Sequence, residues 1–211
     1  MWFVLVACAA DPAPRAIPAP APPAPATDPV LAASDPWSLQ QAAQTHGLPW
    51  PPPQVRITVD KSARELDLFS GDTRLERYRV GLGGAPSGDK VQRGDQRTPD
   101  GDLTVVSRNP NSHYHLFLGL SYPDPADADR GLRAGLVTEA QADAIRTADA
   151  AGTRPPWSTR LGGAIGIHGR GGSADWTLGC IAVDDAEIEE IWALAPLGTP
   201  VQVSESPRQS G

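Results

Sequence analysis

Two residues in the last third of the chain have types and spacing suited to chemistry, His168 and Cys180. A cysteine attacks as its thiolate, and at an ordinary pKa of about 8.5 only a few per cent of a thiol is ionised at neutral pH. A neighbouring imidazole takes the proton or stabilises the anion, so a Cys/His pair is the minimal apparatus for thiol acyl transfer. The two residues alone leave open the alternative of a buried structural cysteine and a hydrogen-bonded core histidine.

The local elements are predicted to bring this pair together. Strands are predicted over residues 164–168 and 179–183, so that His168 and Cys180 each lie at a strand end with a glycine-rich loop between them. Adjacent strands would place both side chains at one site. The amides near Gly179 and Cys180 are candidate donors for an oxyanion hole.

The strands of the remaining fold are predicted from the same alternation. Val55, Ile57 and Val59 alternate with polar residues, which is typical of a half-buried strand. Further strands are predicted over residues 66–68, 78–82, 103–106, 116–120 and 200–203.

Helices are fewer. The capping-box spacing that begins at Thr138 predicts one helix, with Gly152 as its end, and Asp184 begins a second that ends at Pro196. Residues 36–47 are predicted to form a short helix. The fold class is therefore α+β, mainly β and strand-rich with few helices, without the alternating βα pattern of a parallel nucleotide-binding sheet.

The distribution of proline divides the chain. Of 23 prolines, 13 fall in the first 53 of the 211 residues, and proline lacks the amide that sheets and long helices need. We predict a disordered, Ala/Pro-rich linker over residues 9–53, a catalytic domain over residues 54–204 and a tail over residues 205–211. The net charge of −7 argues against a nucleic-acid partner, and we expect a monomer.

The first eight residues are apolar up to Cys8. Residues 5–8 resemble the bacterial lipobox, in which the cysteine becomes lipid-modified, so Cys8 is a candidate membrane anchor. A cleaved soluble export signal and a chance apolar terminus are the alternatives, because no basic residue precedes a run that is barely long enough. Cys8 and Cys180 lie in unlike surroundings, and we expect them not to pair with each other.

The run from His168 and Gly169 to Thr177, Gly179 and Cys180 resembles the signature of the L,D-transpeptidases, the YkuD-type peptidoglycan-modifying domain. That signature is His-Gly followed by Ser/Thr-x-Gly-Cys and an apolar residue. Upstream, Lys90 and residues 94–101 match the Lys … Gly-Asp-x-x-Thr-Pro-Glu/Asp-Gly segment of the family, and residues 115–123 match a strand that ends in Tyr-Pro.

This resemblance implies an L,D-transpeptidase-like fold with Cys180 as the nucleophile and His168 as the general base and acid. The implied substrate is a peptidoglycan stem tetrapeptide, attacked at the carbonyl between the L-centre of diaminopimelate and the terminal D-Ala. No cofactor or metal is implied. Five residues are the candidate substrate or oxyanion contacts: Gly169, Arg170, Thr177, Leu178 and Gly179. The implied location is the periplasm or cell envelope, and Ala9 after Cys8 favours the outer membrane.

The chain also departs from the family pattern, and these departures leave the acceptor open. Many members have His and Arg where this chain has Leu178 and Ala182, and the loop between His168 and Cys180 is shorter than in many members. The sequence around Cys180 resembles the Gram-negative branch that includes murein amidases. An amine acceptor gives transpeptidation and water gives hydrolysis with the same dyad, whereas a non-catalytic peptidoglycan-binding module would leave the thiol unreactive.

Three other patterns are weaker. His113 and His115 have strand spacing that would place both rings on one face, as in a metal site, but a third ligand at suitable spacing is missing, so a site-wall or core role is favoured. Asp175 and Trp176 are candidates to orient the imidazole or to cover the site. The glycine runs 81–84 and 169–172 lack the Lys-Ser/Thr of a phosphate loop and are interpreted as turns.

Overall fold

The computed structural model describes residues 37–205, which form twelve elements. Their bounds, in chain order, are α1 Trp37–Thr45, β1 Val55–Asp60, β2 Glu65–Ser70, β3 Thr73–Arg79, β4 Gly101–Ser112, β5 His115–Leu120, α2 Pro125–Arg133, α3 Glu139–Ala150, β6 Gly166–His168, β7 Ile181–Ala182, α4 Asp185–Leu194 and β8 Pro200–Ser204. The strands join in one sheet of order β3-β2-β1-β8-β4-β5-β6-β7. The predicted fold class, a strand-rich α+β domain with few helices, is confirmed.

The alternating sequence of the first strands produces a sheet with one buried face. Ile57 and Val59 of β1 are buried, as are Leu66 and Leu68 of the antiparallel β2. β8 lies parallel to β1 on one side and antiparallel to β4 on the other, so it joins the two halves of the sheet. The strands predicted from Val55 and over residues 200–203 are confirmed as β1 and β8.

The third strand differs from its prediction. The alternation around Tyr78 predicted residues 78–82, whereas β3 covers Thr73–Arg79. The chain beyond it leaves β2 and instead forms single bridges, from Gly81 to Ala182 and from Gly83 to Thr177. A side chain at Gly81 or Gly83 would collide with a backbone carbonyl, so the glycines in this segment permit its close approach to the site loop.

β5, β6 and β7 form the edge of the sheet that carries the site. β6 pairs antiparallel with β5, where His168 is opposite Phe117, and parallel with β7, where His168 is opposite Ala182. The predicted strands over residues 164–168 and 179–183 are both shorter in the structure, because β6 begins at Gly166 and β7 contains Ile181 and Ala182 alone. Cys180 therefore precedes β7 and does not lie in it.

The helices begin where the capping residues predict. Thr138 accepts a hydrogen bond from the Gln141 amide and completes a capping box at the start of α3, and α4 begins after Asp184. α2 is absent from the sequence prediction, although Asp124 and Asp127 form the same capping box around Pro125. None of the helices within residues 37–205 is long and apolar enough to cross a membrane.

The packed region begins earlier than residue 54. The predicted short helix is present as α1, and its Leu39 and Ala43 lie in the main core with the sheet residues. Residues 37–45, which the prediction placed in the linker, are thus part of the folded unit. The remainder of the predicted linker, up to residue 36, lies outside the described residues, as do the first eight residues and positions 206–211 of the predicted tail.

Candidate active site

His168 is held at the end of β6 with its imidazole buried, 2 % exposed. Its Nδ1 lies 2.7 Å from the carbonyl oxygen of Gly169. A carbonyl only accepts, so in the neutral ring Nδ1 carries the hydrogen and Nε2 keeps a free lone pair. Burial lowers the pKa of His168, against the opposing effect of the Gly169 carbonyl. The imidazole is therefore neutral at neutral pH and can accept a proton.

Cys180 lies immediately before β7, the strand that pairs with β6, and is half-buried. Its Sγ donates to the carbonyl oxygen of Ala164 at 3.4 Å. Burial raises the pKa of the thiol to about 11, while a hydrogen bond from the Gly166 amide and the positive charge of Lys90 act in the opposite direction. The resting pair is therefore a neutral thiol and a neutral imidazole, which is the protonation state that general-base activation requires.

Thr177 organises the turn that carries the sulfur. The side chain is buried, and its Oγ1 donates to the Cys180 carbonyl at 2.8 Å while it accepts from the Gly179 amide at 3.1 Å. The Thr177 amide in turn donates to the carbonyl of Leu82 at 3.1 Å. Thr177 was expected to contact substrate, but the structure gives its hydroxyl a structural task within the site.

Gly179 fits this turn because it lacks a side chain. Its φ is +131°, and a Cβ there would lie 2.6 Å from the carbonyl oxygen of Arg97. Since its amide already donates to Thr177, it is not free to bind an oxyanion in this conformation. The expected oxyanion donor is therefore the amide of Cys180, which has no hydrogen-bond acceptor within residues 37–205.

Gly169 and Arg170 turn the chain from β6 toward α4. The Gly169 amide donates to the carbonyl of Tyr114 at 3.1 Å, and the Arg170 amide donates to Oδ1 of Asp185 at 2.8 Å. Arg170 has a φ of 78° and is exposed. The role of Gly169 is in its backbone, since its carbonyl fixes the imidazole tautomer.

Leu178 and Trp176 form an apolar rim beside the pair. Leu178 is 76 % exposed and Trp176 42 % exposed. The Trp176 ring meets the His168 ring edge-on at 5.6 Å, and its Nε1 donates to the carbonyl of Gly171 at 3.0 Å. Trp176 therefore covers one side of the imidazole, while Leu178 is placed to meet a ligand.

Asp175 does not orient the imidazole by a hydrogen bond. Its carboxylate accepts from the Leu82 amide at 2.9 Å and forms an ion pair with Arg64, whose Nη2 lies 2.9 Å from Oδ2. These bonds tie the site loop to the segment after β3 and to the turn between β1 and β2. Asp175 is thus one of the residues that hold the loop in place.

The upstream motif of Lys90 and residues 94–101 folds into a loop under the site. Lys90 is buried, and its Nζ donates to Asp95 at 2.6 Å. Burial acts to raise the pKa of Asp95, but hydrogen bonds from Lys90 and from three backbone amides hold it below the usual range. The motif therefore supplies a fixed, paired positive charge close enough to act on Cys180.

The two histidines that had suggested a metal site, His113 and His115, lie in different local structures. His113 lies in the two-residue turn between β4 and β5, so the predicted strand spacing is wrong. His115 starts β5 with a φ of 70°, and its Nε2 lies 2.7 Å from Oε1 of Glu189. Within the described part of the chain, no group of three or more His, Cys, Asp or Glu side chains has a metal-binding arrangement.

Tyr114 is the site contact that the sequence analysis missed. Its ring stacks on the His168 ring with centroids 4.6 Å apart and planes 27° apart. Tyr114 lies in the two-residue turn between β4 and β5, and its approach to His168 depends on the pairing of β5 with β6, which no local pattern predicts. Cys8, the candidate lipidation residue, lies outside the described residues.

The family comparison covers most of the folded unit. Residues 54–203 match the family model described as YkuD, the L,D-transpeptidase catalytic domain. In sequence, the chain matches no curated protein.

Solved structures are similar in fold at low identity. The helical cell shape determining protein Pgp2 from Campylobacter jejuni aligns with a TM-score of 0.51 and 18% identity over 84% of this chain and 57% of that chain. Bd1075 from Bdellovibrio bacteriovorus aligns with a TM-score of 0.49 and 19% identity over 74% of this chain and 49% of that chain. An L,D-transpeptidase from Xylanimonas cellulosilytica aligns with a TM-score of 0.41 and 17% identity over 78% of this chain and 68% of that chain. Of these three structures, Pgp2 has a TM-score above 0.5, and at 18% identity this similarity shows a shared fold. The chain spans between 49% and 68% of the lengths of these structures.

Proposed function

The chain belongs to the YkuD family of L,D-transpeptidase catalytic domains, and from this premise we propose that it is a cysteine acyltransferase acting on peptidoglycan stem peptides. The observation that carries the proposal is the contact of 2.7 Å between Nδ1 of His168 and the Gly169 carbonyl. Since a carbonyl only accepts, Nδ1 carries the hydrogen and the Nε2 lone pair can serve as the base for Cys180, which directly precedes the strand paired with β6.

The first half of the reaction forms an acyl-enzyme. His168 Nε2 takes the proton of Cys180 as the sulfur attacks the carbonyl between the L-centre of diaminopimelate and the terminal D-Ala. The oxyanion of the tetrahedral intermediate is bound by the Cys180 amide. The imidazolium then returns its proton to the leaving nitrogen, the C–N bond breaks, and D-Ala departs from a thioester on Cys180.

The second half returns the thiol. An acceptor amine attacks the thioester carbonyl while His168 accepts a proton from the attacking nitrogen. The C–S bond breaks, and the thiolate of Cys180 recovers the proton from the imidazolium. The product contains a new amide at the L-centre carbonyl, and the enzyme is restored.

The test uses a purified disaccharide-tetrapeptide and intact-protein mass spectrometry. We expect release of D-Ala and a thioester adduct on Cys180, and loss of both in Cys180→Ala. The matched control is Cys8→Ala, which removes the other cysteine of the chain and should keep the adduct. Full turnover by Cys180→Ala would contradict the mechanism. A wild-type thiol that reacts with neither the donor nor a carbapenem would indicate a binding module instead.

Hydrolysis is the second candidate, and Leu178 favours it. Many family members have histidine at this position, whereas this chain presents an exposed apolar side chain that offers no hydrogen bond to a polar acceptor. Water would then replace the amine in the second half, with the same proton transfers. Product analysis distinguishes the two reactions, because transfer gives cross-linked dimers or D-amino-acid exchange and hydrolysis gives free shortened stems or released protein.

We also propose that the enzyme works in the cell envelope, anchored by a lipid on Cys8. Support comes from the lipobox-like residues 5–8 and from the Ala/Pro-rich segment after them, whose composition suits a spacer between a membrane and its substrate. Metabolic labelling with an alkynyl fatty acid should mark the wild type and not Cys8→Ala. Equal labelling of both proteins would exclude this anchor.

A further inference from the structure

The turn between β4 and β5 touches the imidazole of His168 through Tyr114. The ring centroids are 4.6 Å apart and the planes differ by 27°. This centroid distance is shorter than those from His168 to Phe117 and to Trp176. Phe117, opposite His168 in the β5–β6 pair, is nearly parallel to it at 6.4 Å. The imidazole is thus packed against aromatic rings on strand β5 and on the turn that precedes it.

The same tyrosine also holds the backbone next to the imidazole. Its carbonyl accepts the Gly169 amide at 3.1 Å, and the carbonyl of Gly169 accepts Nδ1 of His168 at 2.7 Å. The two hydrogen bonds therefore meet at one residue, Gly169, whose amide is held by Tyr114 and whose carbonyl accepts from the imidazole.

The turn is itself fixed at both ends. The Tyr114 amide donates to Oγ of Ser112 at 3.1 Å, and His115 reaches across to Glu189 of α4 at 2.7 Å. Positioning a ring through a stack requires that the stacking partner be held, and these two contacts hold it.

From this arrangement we propose that Tyr114 is a positioning residue for His168. The Tyr114 ring sets the plane of the imidazole, and the Tyr114 carbonyl holds the amide of Gly169, the residue whose own carbonyl accepts from Nδ1. The inference rests on the proposed function, in which Nε2 of His168 must meet the Cys180 thiol. Tyr114 acts through the imidazole and takes no part in proton transfer itself. Because it is 40 % exposed, the competing role is a direct contact with substrate.

The experiment separates these roles with three variants at the turn. Tyr114→Phe keeps the stacked ring, Tyr114→Ala removes it, and His113→Ala removes the neighbouring exposed ring of the same turn as the control. For Tyr114→Ala we expect kcat to fall between roughly 10- and 100-fold with KM within about twofold, since a displaced general base loses rate and not binding. Tyr114→Phe and His113→Ala should stay within about twofold of the wild type, with thermal midpoints unchanged.

A double variant makes the test specific. If Tyr114 acts through His168, adding Tyr114→Ala to His168→Gln should cause no further loss, because the group being positioned is already absent. An independent loss in the double variant, a rise in KM at constant kcat, or equal effects of Tyr114→Ala and His113→Ala would each overturn the proposal.

A substrate-free readout keeps this result distinct from the proposed function. Alkylation of Cys180 by iodoacetamide at pH 7 also needs the thiol proton to reach His168, so Tyr114→Ala and His168→Gln should both slow it, and Tyr114→Phe should not. If the wild type turned over no stem peptide, the proposed function would fail while this arm still decided the role of Tyr114. Wild-type alkylation rates in Tyr114→Ala would overturn that role whatever the substrate.

Discussion

The hydroxyl of Thr177 donates to the carbonyl oxygen of Cys180 at 2.8 Å, across a turn whose tip is Leu178 and Gly179. The Thr177 hydroxyl oxygen also accepts a hydrogen bond from the Gly179 amide, so one buried side chain closes the turn that presents the sulfur. Replacement of the hydroxyl should therefore change the position of the Cys180 sulfur without removing it.

Thr177→Val tests this relationship, because valine has the shape of threonine but cannot hydrogen-bond. It leaves a carbonyl and an amide unsatisfied, so we expect the free energy of unfolding to fall by about 1–3 kcal/mol and kcat to fall with it. Urea denaturation and turnover of the donor peptide measure the two effects. Thr177→Ser is the control and should recover most of both. Wild-type stability and rate in the valine variant would contradict the assigned role.

Gly179→Ala should damage the site through the backbone. An L residue at φ +131° is strained, and the added methyl would meet the Arg97 carbonyl at 2.6 Å, so the turn must shift. We expect a loss of roughly 1–3 kcal/mol in the free energy of unfolding and strongly reduced turnover. Gly198→Ala is the matched control, since Gly198 also has a positive φ, +86°, but open space around it. Gly198→Ala should lower the free energy of unfolding but keep wild-type turnover. An inactive Gly198→Ala would mean that backbone strain by itself explains the loss of turnover in Gly179→Ala.

The pH dependence of the reaction follows from the two pKa shifts. Burial lowers the pKa of His168 and raises that of Cys180 to about 11, so a neutral imidazole and a neutral thiol coexist over a wide range. We expect kcat/KM to rise through the lowered pKa of His168, which lies on the acid side of the ordinary value of about 6.5, and then to stay level into alkaline pH.

His168→Gln provides the control for this profile. Without the base, alkylation of Cys180 depends on spontaneous ionisation, so its rate should increase about tenfold for each pH unit up to roughly pH 11. A rate in this variant that is already level at neutral pH would show a preformed thiolate and contradict general-base activation.

Glu187 should make stability depend on pH. It follows Asp184 at the start of α4 and accepts that residue's amide at 2.8 Å, while burial raises its pKa from 4.5 to about 7. Between pH 4.5 and about pH 7 the folded protein keeps a proton on Glu187 that the unfolded chain has released. The free energy of unfolding therefore falls as the pH rises through this range and stays lower above it. Glu187→Gln keeps the hydrogen-bond acceptor and removes the titration.

Thermal denaturation between pH 4.5 and pH 8 measures this effect. The glutamine variant should match the wild type at the acid end and exceed it at pH 8, because it has no carboxylate to bury. Parallel stability curves for the two proteins over the whole range would show that Glu187 does not couple protonation to folding.

Much of the fold could be predicted without coordinates, and the proposed reacting pair could be chosen without them, since both depend on neighbours in the chain. The alternation at Ile57 and Val59 predicts β1, and the spacing from Thr138 to Gln141 predicts the start of α3, because a strand face and a helix cap each require only a few consecutive residues. His168 and Cys180 are proposed as the reacting pair on similar grounds, from residue types within one short segment. α2 carried an equally local signal at Asp124 and Asp127.

The tertiary structure alone decided what surrounds that pair. Whether the thiol hydrogen-bonds to Ala164 and which ring stacks on His168 depend on contacts between segments that are separated in the chain. The Gly179 amide is occupied by Thr177, two residues before it, in a turn whose conformation the sequence did not predict. The segment after Tyr78 shows why: its alternation is that of a strand, yet its glycines allow it to leave β2 and pack against the site loop. The sequence determined which groups could react, and the folded chain, by fixing their distances and burial, decided their protonation and orientation.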